Sequence, residues 1–343
     1  MWLCIIFITI ALLYAALMLT YWFYWKRVPV FSADRDSVFH KKLSVLIPVR
    51  NEAAYIERLL ECLQNQQYPS HLLQIIVIND NSTDDTRNIV SRFKGIKIID
   101  LDPGITQAHK KRAIEAAIQQ ATGDWIITTD GDCTMDTKWL STLMAFQNQT
   151  SCGYIAAPVL IEANNTLVQQ FQQIDFAILQ GITAVSVHHH WYAMSNGANQ
   201  AYEKQLFLKV NGYSGVDQIA SGDDMLLLQK INASDGDRVK YLQSKEAIVR
   251  TAAVKSWKEF FQQRIRWASK ARYYKEPKLI AVMLNVYLLN LFFLPVLFFS
   301  AFALLPWWSP LAFLLGKSLV EWPFVNQLRR FYNIRIHFGY YCL

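Results

Sequence analysis

The segment GDWIITTDGDCTM (123–135) ends an apolar run, Trp125–Thr129, on two aspartates one residue apart, Asp130 and Asp132. Like charges about 4–6 Å apart raise each other's pKa unless a counter-charge is supplied. A divalent cation is one such supply, because hard cations take a few carboxylate oxygens and complete their shell with water or phosphate oxygens. Asp-Gly is also ordinary turn chemistry, so the pair by itself leaves a metal site and a polar turn both open.

Other polar residues fall at similar places. Arg50, Asn51 and Glu52 follow the apolar run LSVLIPV (43–49), and Asp80 closes LQIIVIND (73–80). A third strand signal is IKIIDL (96–101), and DWIITTD is the fourth. Between them, EAAYIERLLECLQ, DDTRNIVSRF and AHKKRAIEAAIQQA carry helical patterns, the last with apolar positions three and four apart. Strands alternating with helices predict an α/β fold with a mostly parallel, doubly wound, Rossmann-like sheet. In such sheets ligands sit beyond the carboxyl ends of the strands. Three strand ends therefore aim acids into one crevice, which favours the metal site over the bare turn.

The chain is greasy for a purely soluble protein, with 52% apolar and 18% charged residues among 343. The excess lies at the ends. Trp2–Trp25 contains no charge and is long enough to span a bilayer. It is too long for a secretory signal, lacks a basic start, and ends in YWFYW followed by Lys26 and Arg27. An uncleaved anchor follows, with its N-terminus outside and the next segment in the cytosol. A second uncharged run, Leu279–Gly316, is broken by Pro306, Ser309 and Pro310 into one span and the start of another. Lys270, Arg272, Lys275 and Lys278 precede it and Arg329 and Arg330 follow, as expected if it leaves from and returns to the cytosol. Lys317 and Glu321, four apart on one helical face, interrupt the returning segment; they pair there, or the segment inserts only partly.

The net charge of +7 suits anionic lipid headgroups. No dense basic stripe or nucleic-acid motif accompanies it, so nucleic acid is not an expected partner. Five scattered cysteines, Cys4, Cys62, Cys133, Cys152 and Cys342, make neither a disulfide framework nor a zinc spacing. HHHW (188–191) puts consecutive histidines on different faces, which argues against a metal cluster. GKSLVE lacks the upstream glycine of a P-loop.

VLIPVRNE, VINDNSTDDT, KKRAIEAAI with TGDWIITTDGD, SGDD and QQRIRW occur in the order seen in family 2 glycosyltransferases with the GT-A fold, and the chain resembles that family over about residues 42–270. QQRIRW holds the Q-x-x-R-W pattern of Gln263, Arg266 and Trp267, which resembles cellulose, chitin and hyaluronan synthases and ceramide glucosyltransferase. The implied organisation is an N-terminal anchor (1–27), a cytosolic domain (28–278), C-terminal transmembrane segments (279–328) and a cytosolic tail (329–343). Within the domain, 42–150 is the nucleotide-sugar half, 151–255 the acceptor half and 256–278 an interfacial helix.

The resemblance implies specific roles. Asp132 is the main ligand of Mg²⁺ or Mn²⁺, and Asp130 assists or binds the ribose. Asp80 contacts the base, Arg50 and Glu52 lie where relatives contact uracil, and Lys110 lies near the nucleotide. Lys110, Lys111 and Arg112 read equally as a solvated helix start. Asn196, Gly197 and Asn199 approach the acceptor. Asp224 is the general base of an inverting transfer, with Asp223 beside it; one of the two could serve only as a helix N-cap. Gln263, Arg266 and Trp267 face the diphosphate and acceptor from a helix lying on the membrane.

The expected activity moves a sugar from a nucleotide diphosphate sugar, UDP-linked by family habit, to a hydroxyl of a membrane lipid or growing glycan. A processive polysaccharide synthase is the rival; it exports its polymer, and two or three spans make a poor channel unless the chain forms a homo-oligomer. A non-catalytic sugar-binding relative would not keep all these acids. A Rossmann dehydrogenase is excluded because no G-x-G-x-x-G follows the first strand.

Overall fold

A computed structural model describes residues 2–34, 38–102, 109–164, 166–219, 222–269, 271–336 and 341. Lys270, Cys342 and the Ser221 of SGDD lie outside the described residues, as does the side chain of Cys4. Helix α1 (Trp2–Trp25) precedes β1 (Leu43–Val49), α2 (Ile56–Gln64), β2 (Leu73–Asn79), α3 (Thr86–Ser91), β3 (Ile96–Asp100), α4 (His109–Gln120) and β4 (Trp125–Thr128). Then come β5 (Cys133–Met135), α5 (Trp139–Thr150), β6 (Tyr154–Ala156), β7 (Val159–Glu162), α6 (Leu167–His188), β8 (Gln200–Glu203) and α7 (Lys204–Lys209). The chain continues through α8 (Met225–Asp235), β9 (Val239–Tyr241), β10 (Val249–Ala252), α9 (Trp257–Ala268), α10 (Pro277–Ala301) and α11 (Ser309–Tyr332).

The main sheet has seven strands in the order β3-β2-β1-β4-β8-β6-β9. β3, β2, β1 and β4 are parallel, as the strand–helix alternation predicts. Alternate side chains of these buried strands feed two cores, as a period of two requires. Leu46, Ile76 and Ile126 pack with Ala113, Ile114 and Ala117 of α4. Val45, Ile47, Val77 and Ile127 pack with Leu59 and Leu60 of α2 and with Trp139 and Leu143 of α5. Truncating one such fully buried aliphatic side chain to alanine costs about 2–5 kcal/mol.

Two features shape the crevice. The β1–β4 ladder stops at Leu46↔Thr128, while β1–β2 runs on to Val49↔Asn79. Pro48 has no N–H to extend the ladder, so the pairing of β1 with β4 stops there. β8 runs antiparallel to β4, pairing Thr128 with Gln200. Residues just before β8, Asn196–Asn199, are thereby carried to the carboxyl end of β4. The sheet is mixed rather than wholly parallel from β4 onward. A second sheet, β5-β10-β7, closes the other side.

Among the described residues two helices, α1 and α10, are long and apolar enough to cross a membrane. The returning segment differs from a simple span. α11 runs past residue 328 to Tyr332 and buries Phe324, Val325, Leu328, Phe331 and Tyr332. A Cβ on Gly181 of α6 would come within 2.6 Å of Leu328 and Phe324, so α11 docks tightly on α6. Lys317 and Glu321 do pair, at 2.9 Å. Tyr14 of α1 also donates to Glu321. Polar residues mark the side of α11 that faces protein, and this lowers its hydropathy below that of a lipid-facing span.

Candidate active site

The DGD turn lies against Glu52: a Cβ on Gly131 would stand 2.8 Å from Glu52 Cγ and 3.0 Å from Val49 Cγ1. Glycine is needed there because the two loops touch. Burial pushes the Glu52 carboxyl up to about 7, aided by the charges of Asp132, Asp130 and Asp84. Burial and the charge of Asp130 also raise Asp132, while a hydrogen bond from Thr251 Oγ1 to Asp132 Oδ2, at 2.7 Å, acts in the opposite sense. Glu52, Asp130 and Asp132 thus form one set of mutually repelling acids.

A counter-charge comes from α4. Lys110 Nζ lies 2.6 Å from Asp130 Oδ1 and 3.1 Å from Asp223 Oδ2. Burial works against its charge, but Asp130, Asp223 and Asp224 outweigh it and hold the ammonium above its ordinary pKa. Of the three basic residues at this helix start, only Lys110 enters the site. Lys111 is buried elsewhere, donating to Val216 O and Ile219 O at 2.7 and 2.8 Å, and Arg112 is exposed.

Asp223 and Asp224 meet the same point. Asp223 is buried against Lys110. Asp224 is the more accessible of the two. It is also the helix cap: its Oδ1 accepts from Met225 N at 2.7 Å, so the capping contact falls on Asp224 rather than on Asp223. Its Oδ2 accepts from Gly197 N at 3.2 Å. Thr128 Oγ1 donates to Gly197 O at 2.8 Å. A Cβ on Gly197 would be 2.8 Å from Asp223 Oδ2 and 3.0 Å from Lys110 Nζ. Gly197 therefore lets this backbone lie against Asp223 and Lys110.

Asn199 does not line the crevice. It is fully buried, donating to Pro158 O and Ala247 O at 2.7 Å each and accepting from Trp139 Nε1 at 3.0 Å. Both its N–H groups are used, so it ties β8 to the segments before β7 and β10 and to α5. Asn196, half-buried, closes a turn on Ala198 N at 2.9 Å.

At the far end of the crevice Arg50 Nη1 stands 3.6 Å from Asp80 Oδ2. The loop after β2 is clasped to the loop after β1. Asn51 Oδ1 accepts from Thr83 N at 2.8 Å, Asn51 N donates to Ser82 Oγ at 3.1 Å, and Asp84 accepts from Ala53 N at 3.0 Å.

Helix α9 presents a different face from the one its Q-x-x-R-W pattern suggests. Arg264, not Arg266, turns inward, pairing with Asp175 of α6 and lying over the rings of Phe260 and Trp267. Trp267 packs on Phe176. Arg266 is exposed and Gln263 half-buried. Among the described residues no hydrogen bond or ion pair joins Gln263, Arg266 or Trp267 to the acid set. The spacing 260, 264, 267 is the helical stripe that faces α6, and Arg266 lies off it.

Thr251 was not legible as a site residue. It reaches Asp132 because β10 pairs with β5, Thr251 opposite Cys133. A cavity of ≈ 260 Å³ opens beside Asp132, with Arg58, Glu162 and Lys255 in its wall.

Among the described residues no three acidic, histidine or cysteine side chains converge to wrap a metal by themselves. The crowding of Glu52 and Asp132 by burial and neighbouring acids nevertheless suits a hard cation. Mg²⁺ and Mn²⁺ commonly take one or two carboxylates and complete their shell with water and substrate phosphates. Asp130 and Asp132 fit that partial donor set. In the 188–190 run, His189 packs on Tyr24 and Trp191.

The sequence profile of glycosyl transferase family 2 matches residues 44–212. The chain is 29% identical over 240 residues, 68% of its length and 56% of the relative's, to the protein named probable glycosyltransferase YdaM of Bacillus subtilis. It is 24% identical over 230 residues, 66% of its length and 53% of the relative's, to a poly-beta-1,6-N-acetyl-D-glucosamine synthase of Staphylococcus epidermidis. The chain thus spans about half the length of the curated relatives it matches. Among solved structures it is similar to the mannosyltransferase PcManGT of Pyrobaculum calidifontis, in complex with GDP-mannose and Mn²⁺, with a TM-score of 0.58 and 16% identity over 97% of this chain and 96% of that one. The likeness establishes a shared glycosyltransferase fold.

Proposed function

We propose that the chain, whose residues 44–212 match the glycosyl transferase family 2 profile, is an inverting, metal-dependent enzyme moving a sugar from a nucleotide diphosphate sugar to a hydroxyl of a membrane lipid or growing glycan. The observation that carries this is the meeting of Asp130, Asp223 and Lys110 within 3.1 Å, with Asp224 beside them on the Gly197 amide. One crevice so unites donor-side and acceptor-side acids.

The nucleotide base lies at Asp80 and Arg50, the diphosphate near Lys110 and Asp130. Asp132 and Asp130 hold Mg²⁺ or Mn²⁺, which when bound supplies Lewis-acid stabilisation of the charge growing on the diphosphate. The GDP-mannose and Mn²⁺ complex of the mannosyltransferase supports a divalent cation. Lys110 adds a second positive charge to the same oxygens. Asp224 accepts the proton of the acceptor hydroxyl as its oxygen attacks the anomeric carbon, and the bond to the diphosphate breaks on the opposite face. Asp223, paired with Lys110, orients that ammonium. One base and one displacement invert the centre, and no carboxylate nucleophile is required.

α1 and α10 anchor the domain in a membrane, N-terminus outside and domain in the cytosol, with α9 on the lipid surface. Trp257, Phe261 and Ile265 are exposed on α9, which supports this placement. Protease added to intact cells then leaves the central domain uncut; cleavage there reverses the orientation. The second reading, a processive synthase working as a homo-oligomer, draws on the similarity to the poly-N-acetylglucosamine synthase. Mass spectrometry of lipids from cells with and without the protein tests the proposal: a lipid species heavier by one sugar supports it. A long polymer supports the synthase, and no change in either contradicts both.

A further inference from the structure

Helix α10 turns one face to the protein and another away from it. On the inner face Leu279 and Leu289 are buried and Val282 and Val286 pack on the same core. Phe292 meets Phe7 of α1, and Phe293 meets Phe313 of α11. Asn285 also serves this face, its Nδ2 donating to Ile10 O of α1 at 3.4 Å. The outer face carries Ile280, Met283, Tyr287, Asn290, Leu294 and Leu297, all exposed. They follow one another in alternating steps of three and four residues. That is the period of about 3.5 residues by which two helices keep one seam in contact. Asn290 lies thirteen residues from the first residue of α10 and eleven from the last, about 20 and 17 Å along the helix axis. In a hydrocarbon layer about 30 Å thick this is near the middle. Asn290 Nδ2 donates to Val286 O of its own helix at 2.7 Å. Among the described residues nothing takes its second N–H or donates to its Oδ1.

We propose that this stripe is the contact between two copies of the chain, packed α10 against α10, with their two Asn290 carboxamides bonded to each other. This rests on the reading of α10 as a transmembrane helix. The hydrocarbon layer holds no water to satisfy an exposed carboxamide, and a lipid tail neither donates nor accepts. A second copy does both. All copies insert with the same orientation, so two α10 helices lying side by side run parallel. A two-fold axis along the membrane normal then sets each residue of the stripe opposite its own counterpart. A carboxamide is its own complement, because each offers an N–H and a carbonyl oxygen to the other. Met283, Tyr287, Leu294 and Leu297 supply the apolar contacts on either side. One asparagine within such a seam fixes register and the number of helices, and hydrogen bonds of this kind hold helices together in bilayers.

The test uses the full-length chain, labelled on its amines in two batches with donor and acceptor dyes and reconstituted together in phosphatidylcholine–phosphatidylglycerol vesicles. Energy transfer is followed as the protein is diluted with lipid, and alkaline carbonate extraction reports insertion. Wild type resists extraction and shows transfer above the random-proximity level that persists on dilution. Asn290→Leu keeps a good helix former on an apolar face and weakens the association by about 5–30-fold. Asn290→Gln, which keeps a carboxamide, retains more of it than Asn290→Leu. Transfer at the random level in wild type overturns the inference while leaving α10 in the bilayer. So does an association that Asn290→Leu does not weaken. Release of wild type by carbonate removes the transmembrane reading itself, and this inference with it.

Discussion

Thr251 Oγ1 donates to Asp132 Oδ2 at 2.7 Å across 119 residues of sequence. The second sheet thus reaches into the acid set and orients the carboxylate assigned to the metal. Partners of this kind are worth about 10–100-fold in metal affinity. Thr251→Val should weaken Mn²⁺ binding by that amount in an electron-paramagnetic titration, with the fold retained. Unaltered Mn²⁺ affinity would mean that Asp132 is not a ligand or does not need its anchor.

Asp224 and Asp223 differ in setting, one accessible and held by the Gly197 amide, the other buried on Lys110. Asp224→Asn keeps the shape but cannot take a proton. Turnover should fall by about 10²–10⁴-fold, with donor affinity by calorimetry nearly unchanged. Asp223→Asn weakens the partner of Lys110, so it should raise the donor dissociation constant as well as slow turnover. Near-normal turnover in Asp224→Asn would move the base elsewhere.

Arg264 and Arg266 separate packing from chemistry on α9. Arg264→Ala removes the partner of the Asp175 carboxylate on α6 and the packing over Phe260 and Trp267, which costs about 1–3 kcal/mol, and the melting temperature should drop by several degrees. Arg266→Ala, exposed, should melt like wild type and, if Arg266 serves the diphosphate, slow transfer. Equal melting of both variants would deny the inward role of Arg264.

Glu52 gives a pH signature. Its carboxyl has an ordinary value of 4.5 and a folded value of about 7. Between these values the native chain holds the proton more tightly than the unfolded chain, so this group's contribution falls as pH rises through that window and stays lower above it. Melting in chelator should therefore decline from pH 5 to pH 8, about the span of that window. Glu52→Gln should flatten the decline and melt higher than wild type at the alkaline end. Parallel curves for the two proteins would show that Glu52 is not crowded by the other acids.

The parallel half of the sheet was legible because each strand is a short apolar run with polar punctuation: β1 occupies Leu43–Val49 as read, and β2 to β4 end within two residues of their expected limits. The acids followed, since their positions are set by strand ends. What was not legible depends on pairing between distant segments. β8 is a short strand, QAYE, with no strong alternation, yet its antiparallel register moves Gly197 onto Asp224 and buries Asn199. Thr251 has no motif at all. On α9 the pattern Q-x-x-R-W drew attention to Arg266, while the stripe 260, 264, 267 that meets α6 depends on where α6 lies. α11 looked like a broken span because its charges were read against lipid; in the fold Glu321 faces Tyr14 and Lys317.

The most direct measurement is sugar transfer by the purified full-length chain in detergent, given membrane lipid extract, a panel of radiolabelled UDP-sugars and Mn²⁺. Label should pass into the lipid phase with release of UDP, stop when the cation is chelated, resume when it is restored, and be lost in Asp224→Asn. Transfer that persists in chelator, or that survives Asp132→Asn and Asp224→Asn alike, would contradict a metal-assisted displacement in this crevice.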